Sequence, residues 1–201
     1  MNFLAHALLA GPLVDDRVGG VAGDFVKGVL DPTPPDMSAA FAEGVRLHRR
    51  IDSFADQHPA FLRSRRRVSA QRRRVAGIMV DLFYDHFLAS LWPRFSAQPL
   101  QVFTAEVYAH IRGYPQPLPL DFVPVFESMA RTDWLSAYGD PQTVARALDR
   151  MAQFRFRRPN PLAGGGAELL ADYAGFEADF AEFLPDAIAF AASVRAARTP
   201  G

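Results

Sequence analysis

Apolar residues recur three and four positions apart along most of the chain, which is the spacing of one face of an α-helix. The clearest stripe consists of Val75, Ile78, Met79, Leu82, Phe83, Phe87 and Leu91. No comparable stretch alternates apolar and polar residues in the way a half-buried strand would. The pattern therefore predicts an all-α protein.

Proline and glycine divide this pattern, because both residues disfavour the interior of a helix. We predict helices over residues 2–10, 18–30, 39–56, 60–91, 99–113, 120–138, 141–152 and 167–195. The stretch "RRPNPLAGGG", residues 157–166, ends in three successive glycines. Since glycine favours a flexible backbone, this stretch is the candidate for a mobile loop.

Length and composition indicate one packed unit. The chain has 201 residues, of which 49% are hydrophobic and 22% charged, enough for one buried core. We therefore predict a single helical domain over residues 1–201. No apolar run reaches the roughly 18 residues of a membrane span, and the start lacks the basic residues of a secretory signal.

The sequence contains no cysteine, which excludes disulfides and thiolate metal sites and fits a reducing cytoplasm. We expect a cytoplasmic protein without a membrane partner. Any metal ion must then be held by histidine, aspartate or glutamate.

The formal net charge is zero, but residues 63–74 carry seven arginines and no acid. This arginine run is either a solvated helix face whose long side chains cover apolar surface, or a docking surface for an acidic protein or a phosphorylated molecule. Aromatic residues are missing from the run and the chain is neutral overall, so nucleic acid is not the predicted partner.

Histidine and aspartate concentrate in a few short stretches. The candidate residues are His6, Asp24, His48, Asp52, Asp81, Asp85 and His86. Residues four apart share one face of a helix, so His48 and Asp52 point together, as do Asp81 and Asp85.

Asp81 and Asp85 have apolar neighbours, and two like charges at this spacing repel each other. Buried carboxylates need a cation, which a divalent metal supplies. Imidazole with several carboxylates suits Mn²⁺, Fe²⁺, Zn²⁺ or Mg²⁺. The pattern indicates metal-assisted hydrolysis, most naturally of a phosphoester.

Simpler interpretations stand beside this one. His48 and Asp52 form a surface ion pair in many helices, and His6 alone is typical of a core histidine. Asp81 and Asp85 have Arg73, Arg74 and Lys27 as alternative partners, which would make the chain a non-catalytic helical binding protein. Asp24 alone is compatible with a helix cap. His58 and His110 lack acidic companions, and Asp56 is interpreted as a helix-end acid.

Five motifs in a fixed order carry a resemblance to a known family. They are "MNFLAH" at the start, "GDFVKG" at 23–28, "HRRID" at 48–52, "RRVAGI" at 73–78 and "DLFYDHFL" at 81–88. Together they resemble the acyl-carrier-protein phosphodiesterases, also called ACP hydrolases. The resemblance is strong from Met1 to about Trp92 and weaker beyond it, where "TDWLSAY" at 132–138 is a further, weaker match.

The resemblance implies a helical bundle related to the HD-type metal phosphohydrolases. It implies cleavage of the phosphodiester between 4′-phosphopantetheine and a serine of acyl carrier protein, which turns holo carrier into apo carrier. A divalent ion is implied, with Mn²⁺ favoured over Mg²⁺ or Fe²⁺. The alternative substrate is a nucleotide or another small phosphoester, as in ordinary HD-type enzymes.

Carried onto matching positions, the resemblance assigns a metal site to Asp24, His48, Asp52, Asp81, Asp85 and His86. His6 in the opening motif is an additional ligand or a proton-transfer group. Leu8 stands where some relatives have a second histidine. The order Asp85-His86 is the reverse of the His-Asp doublet of HD enzymes.

The arginines complete the predicted substrate contacts. For docking the acidic carrier protein we predict Arg63, Arg65, Arg66, Arg67 and Arg72. For contact with the phosphate, or with charge that develops during the reaction, we predict one or two of Arg49, Arg50, Arg73 and Arg74.

Overall fold

This computed structural model describes residues 1–154 and 160–198. Their regular secondary structure consists of eleven α-helices and three 3₁₀ turns, without a β-strand. The α-helices are α1 (Phe3–Leu9), α2 (Val14–Ala22), α3 (Ala39–Gln57), α4 (Pro59–Arg67), α5 (Ala76–Ser90), α6 (Leu100–Arg112), α7 (Val123–Thr132), α8 (Trp134–Ala137), α9 (Pro141–Phe154), α10 (Gly166–Ala171) and α11 (Tyr173–Ala196). The 3₁₀ turns are Gly23–Phe25, Ala70–Val75 and Trp92–Arg94. The all-α prediction is confirmed, while the relation to HD-type enzymes stays a prediction.

Helix α5 lies at the centre of the core. It packs against α1, α4, α9 and α11, and Met79, Phe83, Tyr84 and Phe87 on it are completely buried. A helix that is apolar on nearly every face is typical of such a central position. The polar residues that α5 carries are therefore buried unless they face a cleft.

Four predicted helices are shorter than their apolar patterns suggest. Those over 120–138 and 167–195 are each divided in two, at Asp133 and at Asp172. The predicted helix over 60–91 is interrupted after α4, where the N–H and hydroxyl of Ser69 donate to Glu168. The predicted helix over 18–30 instead begins at Val14 and ends at Ala22. It does not extend through Gly28, whose φ of 83° lies in the left-handed region.

Helices α2 and α3 approach until their backbones touch. A Cβ on Gly44 would lie 2.5 Å from the carbonyl oxygen of Asp15, and a Cβ on Gly19 would lie 2.8 Å from Cα of Gly44. Only glycine fits at such distances. This close packing brings the last turn of α2 within reach of side chains on α3.

Helices α4 and α11 are joined by the buried carboxylate of Asp179. It accepts hydrogen bonds from Arg63 Nε at 2.9 Å, Arg67 Nε at 2.7 Å and Ser64 Oγ at 3.0 Å. Because Asp179 is only 2% exposed, its charge needs these donors. Part of the arginine run therefore stabilises the fold.

Of the candidate mobile loop, residues 157–159 lie outside the described residues. In the remainder, Leu162 is buried and the N–H of Gly164 donates to Asp149 at 2.8 Å. Within residues 1–154 and 160–198, no helix is both long and apolar enough to cross a membrane.

The variant Gly44→Ala tests the contact between α2 and α3. Its Cβ has to displace the backbone near Asp15, so we expect the free energy of unfolding in urea to fall by about 1–3 kcal/mol. Gly77→Ala in α5 is the matched control, because its Cβ would meet nothing within 4 Å and alanine favours a helix by about 0.5–1 kcal/mol. Equal stability of the two variants would contradict the tight contact.

Candidate active site

A cleft of about 210 Å³ opens between α3, α5 and the 3₁₀ turn Gly23–Phe25. One set of lining residues is acidic and consists of Asp24, Asp52, Asp56 and Asp81. Another set is apolar and includes Phe61, Ile78, Leu82 and Met151. The cleft thus combines a strongly acidic wall with a surface on which an apolar group can pack.

Helix α3 contributes His48 and Asp52, four residues apart on one face. Nε2 of His48 lies 3.1 Å from Oδ2 of Asp52. Its other ring nitrogen, Nδ1, lies 2.8 Å from the carbonyl oxygen of Gly20. The carbonyl groups in the last turn of a helix lack a donor within the helix, so Nδ1–H donates to Gly20. This contact turns Nε2 towards the carboxylates.

Helix α1 contributes His6, whose ring stacks on that of His48. The ring centroids are 3.9 Å apart and the planes differ by 25°. Nε2 of His6 lies 3.1 Å from Oδ1 of Asp52, so each oxygen of Asp52 faces one imidazole. His6, His48 and Asp52 each offer a ligand atom within 4.8 Å of the others, which makes them a candidate metal-binding cluster.

Asp24 reaches this cluster from the turn Gly23–Phe25. Its Oδ1 lies 3.5 Å from Nε2 of His48, and the side chain is 47% exposed towards solvent. The turn can come this close only because residue 23 is glycine. A Cβ on Gly23 would lie 2.4 Å from Cγ of His48.

Asp81 joins the site through the α-amino group of Met1. The amino nitrogen lies 2.9 Å from Oδ1 of Asp52 and 3.0 Å from Oδ1 of Asp81. The contact with Asp52 has hydrogen-bond geometry, but the contact with Asp81 is an ion pair only. Oδ1 of Asp81 is buried and has no hydrogen-bond partner among the described residues.

Burial and charge set the protonation states at the cluster. Burial, together with the neighbouring His48, lowers the pKa of His6 to about 4. Burial also opposes the charged form of His48, but Asp24 and Asp52 outweigh it and raise the pKa of His48 to about 9. The two histidines hold the pKa of Asp52 well below its usual range, although burial acts in the opposite direction.

Two of the seven predicted residues lie outside this cluster. Both oxygens of Asp85 accept backbone N–H groups, from Leu4 and Ala5, at 2.9 Å each. These N–H groups belong to the first turn of α1, where a helix lacks its own acceptors. Asp85 therefore caps α1 instead of facing the cleft.

His86 is likewise occupied elsewhere. Its Nδ1 lies 2.8 Å from the carbonyl oxygen of Tyr138, and its Nε2 lies 2.8 Å from the hydroxyl of Tyr173. On α5 it is turned by about 100° from Asp85. The structure thus brings together His6, Asp24, His48, Asp52 and Asp81, and it places Asp85 and His86 apart from them.

Most of the predicted docking arginines pair within the chain. Arg63 and Arg67 bind Asp179, Arg72 lies 3.2 Å from Glu168, and Arg65 lies 3.4 Å from Asp56. Of the predicted phosphate contacts, Arg49 binds the carbonyl oxygens of Val26 and Gly28. Among the nine arginines predicted to contact the substrate, those that are exposed, and that form no hydrogen bond or ion pair with described residues, are Arg50, Arg66, Arg73 and Arg74.

Several features of the site were absent from the prediction. A search for titratable side chains does not detect backbone groups or apolar residues. It therefore missed the amino group of Met1, the carbonyl of Gly20, and the side chains of Phe61 and Met151. Asp56 did carry one, since it follows Asp52 by four residues, and it lines the cleft although it also lies near the end of α3.

Comparison with known proteins gives a consistent result. A family model described as "Acyl carrier protein phosphodiesterase" matches residues 1–187. A relative of that name from Photorhabdus laumondii is 34% identical over 186 residues, which cover 92% of this chain and 92% of the relative. Another, from Salmonella dublin, is 35% identical over 198 residues, covering 96% of this chain and 98% of the relative. No solved structure gives a significant match.

The cap on α1 predicts a pH dependence of stability. Burial raises the pKa of Asp85 to about 7, whereas an unfolded aspartate titrates near 3.9. Between these values the folded chain binds more protons, so the contribution of Asp85 to stability falls as the pH rises, by up to about 1.4 kcal/mol per pH unit.

Urea unfolding of the native chain and of Asp85→Asn at several pH values between 4 and 8 checks this expectation. The asparagine variant lacks the titrating group, so the native chain should lose stability relative to it as the pH rises towards 7. Parallel stability curves would contradict the assignment.

Proposed function

The chain belongs to the acyl carrier protein phosphodiesterase family, and on this basis we propose that it hydrolyses the phosphodiester between 4′-phosphopantetheine and a serine of acyl carrier protein. The family predicted from the five motifs is thereby confirmed. The observation that carries the proposed activity is the cluster of two buried histidines, His6 and His48, with the partly buried Asp52 at an acidic cleft.

The charge of the cleft supports a role for a divalent cation. A phosphodiester is an anion, and four carboxylates line the wall that it would approach. Two imidazole nitrogens and carboxylate oxygens form a donor set that suits Mn²⁺, with Mg²⁺ and Fe²⁺ as alternatives. We propose that His6, His48 and Asp52 hold this ion, with Asp24 and Asp81 beside it. When bound, such an ion polarises a phosphoryl oxygen and makes water more acidic.

The residues around the cluster orient His48, accept a proton and contact the substrate. The carbonyl of Gly20 accepts Nδ1–H of His48, so that Nε2 faces the cleft and would give up its proton when the ion binds. Asp24, half exposed and next to Nε2 of His48, is placed to take a proton from an attacking water. The water oxygen bonds to phosphorus, the bond from phosphorus to the serine oxygen breaks, and the serine oxygen takes up the proton that Asp24 accepted from the water. The apolar wall offers contacts to the pantetheine arm.

The activity is tested by incubating the purified protein with holo carrier and Mn²⁺ and measuring the carrier mass. We expect the loss of one phosphopantetheine, and we expect His48→Ala to lower kcat/KM at least 100-fold, since even partners of metal ligands contribute about 10–100-fold. His110→Ala on α6, outside the cleft lining, is the matched control and should retain activity.

Metal analysis adds a second readout. The native chain should retain a divalent ion after dialysis and lose activity with a chelator, and His48→Ala should retain less metal. The proposed function is wrong if the native chain binds none of Mn²⁺, Mg²⁺ and Fe²⁺ and leaves the mass of the holo carrier unchanged.

We further propose that the acidic carrier docks on the unpaired arginines. The sequence predicted Arg73 and Arg74 as candidate phosphate contacts, and we assign them to docking instead because they are exposed. They lie just before Gly77 and Ile78, which line the cleft. Arg66 lies near the end of α4. Unpaired guanidinium groups next to an active site attract an acidic partner over a distance and set its orientation.

Reversing the charge of this surface separates a protein substrate from a small one. Arg73→Glu combined with Arg74→Glu should lower kcat/KM for holo carrier by about tenfold or more at low salt, and less at high salt. Hydrolysis of a small aryl phosphodiester should stay unchanged. Arg131→Glu, an exposed residue on α7, is the control. Equal losses on both substrates would contradict carrier docking at this surface.

A further inference from the structure

Helix α3 uses different side chains for two tasks. His48 and Asp52 face the cleft. Arg49 instead reaches the segment that follows the turn Gly23–Phe25. Its Nη2 donates to the carbonyl oxygen of Val26, and its Nη1 donates to that of Gly28, each at 2.9 Å. A guanidinium is planar and rigid, so two such bonds fix both carbonyl groups relative to the helix.

The segment bound by Arg49 carries Asp24. Val26 follows Asp24 by two residues, and its N–H closes the turn by donating to the carbonyl oxygen of Gly23 at 3.2 Å. Beyond Val26 the chain is exposed at Lys27, Gly28 and Val29. The buried side chains of Val26 and Leu30 anchor this stretch at its two ends, and Arg46 of α3 donates to the carbonyl oxygen of Leu30. Of the hydrogen bonds that arginines of α3 make to this stretch, the two from Arg49 lie nearest to Asp24 in sequence.

We propose that Arg49 is a positioning residue, which holds the turn at Gly23–Phe25 and thereby keeps Asp24 against His48. The sequence predicted a different role for Arg49, as a contact to the phosphate. In the structure its guanidinium is already bound to backbone oxygens, while its neighbour Arg50 is exposed and unpaired among the described residues. The effect on catalysis rests on the proposed function, but the effect on the turn does not.

The attachment of the turn can be measured directly, because Lys27 is the only lysine of the chain. A lysine-specific endoproteinase therefore reports the opening of this segment through a single cut. Under native conditions Arg49→Ala should be cut about tenfold faster than the native chain, since it loses two charge-assisted hydrogen bonds. Arg50→Ala, the adjacent control, should be cut at the native rate.

The variant Arg49→Met guards against a loss of folding, because it keeps much of the aliphatic side chain and removes the donors. It should be cut as fast as Arg49→Ala, with an unchanged circular dichroism spectrum. Cutting of both Arg49 variants at the native rate would overturn the proposal.

A double-mutant cycle tests whether Arg49 acts through Asp24. The readout is kcat/KM for holo carrier in the native chain, Arg49→Ala, Asp24→Asn and the double variant. If Arg49 works by placing Asp24, the double variant should match Asp24→Asn within about twofold. If the two losses multiply, the guanidinium acts on the substrate independently and the positioning role is wrong.

The proteolysis experiment and the activity measurement test the two proposals independently. A native chain with no activity on holo carrier would remove the proposed function, while the proteolysis rates would still decide whether Arg49 holds the turn.

Discussion

The site depends on the contacts that the carboxylate of Asp52 makes with three nitrogen atoms. Its Oδ1 faces the amino nitrogen of Met1 at 2.9 Å and Nε2 of His6 at 3.1 Å, and its Oδ2 faces Nε2 of His48 at 3.1 Å. One carboxylate thus joins the start of the chain, α1 and α3. A partly buried charge of this kind is stable only while its partners stay in place, so the surrounding packing has to hold two segments in register, the first nine residues and α3.

The packing does so with backbone contacts and caps. The glycines of α2 and α3 let the two helices touch, which places the carbonyl of Gly20 against His48. Asp85 supplies acceptors to α1, a helix whose N-cap residue Asn2 makes no side-chain cap of its own. The orientation of His6 therefore depends on α5, and the orientation of His48 depends on α2.

These dependencies explain which parts of the site could be predicted from the sequence alone. The helical period was enough to put His48 and Asp52 on one face, and the motifs were enough to add His6, Asp24 and Asp81. Helical spacing also paired Asp81 with Asp85, but it could not show that Asp85 meets the free N–H groups of α1. In the same way, the arginine run was visible as charge, whereas its partner Asp179 lies more than a hundred residues further along the chain. What a side chain meets across the fold is set by long-range packing, which no local pattern contains.

The cap on α1 also makes the position of one histidine depend on a distant part of the chain. A helix of seven residues is too short to persist alone in water, and the acceptor of its Ala5 N–H lies 80 residues later in the chain. Helix α1 therefore takes its stability from contacts with α2, α5 and α11, and the cap from Asp85 is one that only α5 supplies. His6 precedes every other member of the cluster in sequence except Met1, yet the position of its imidazole depends on the central helix.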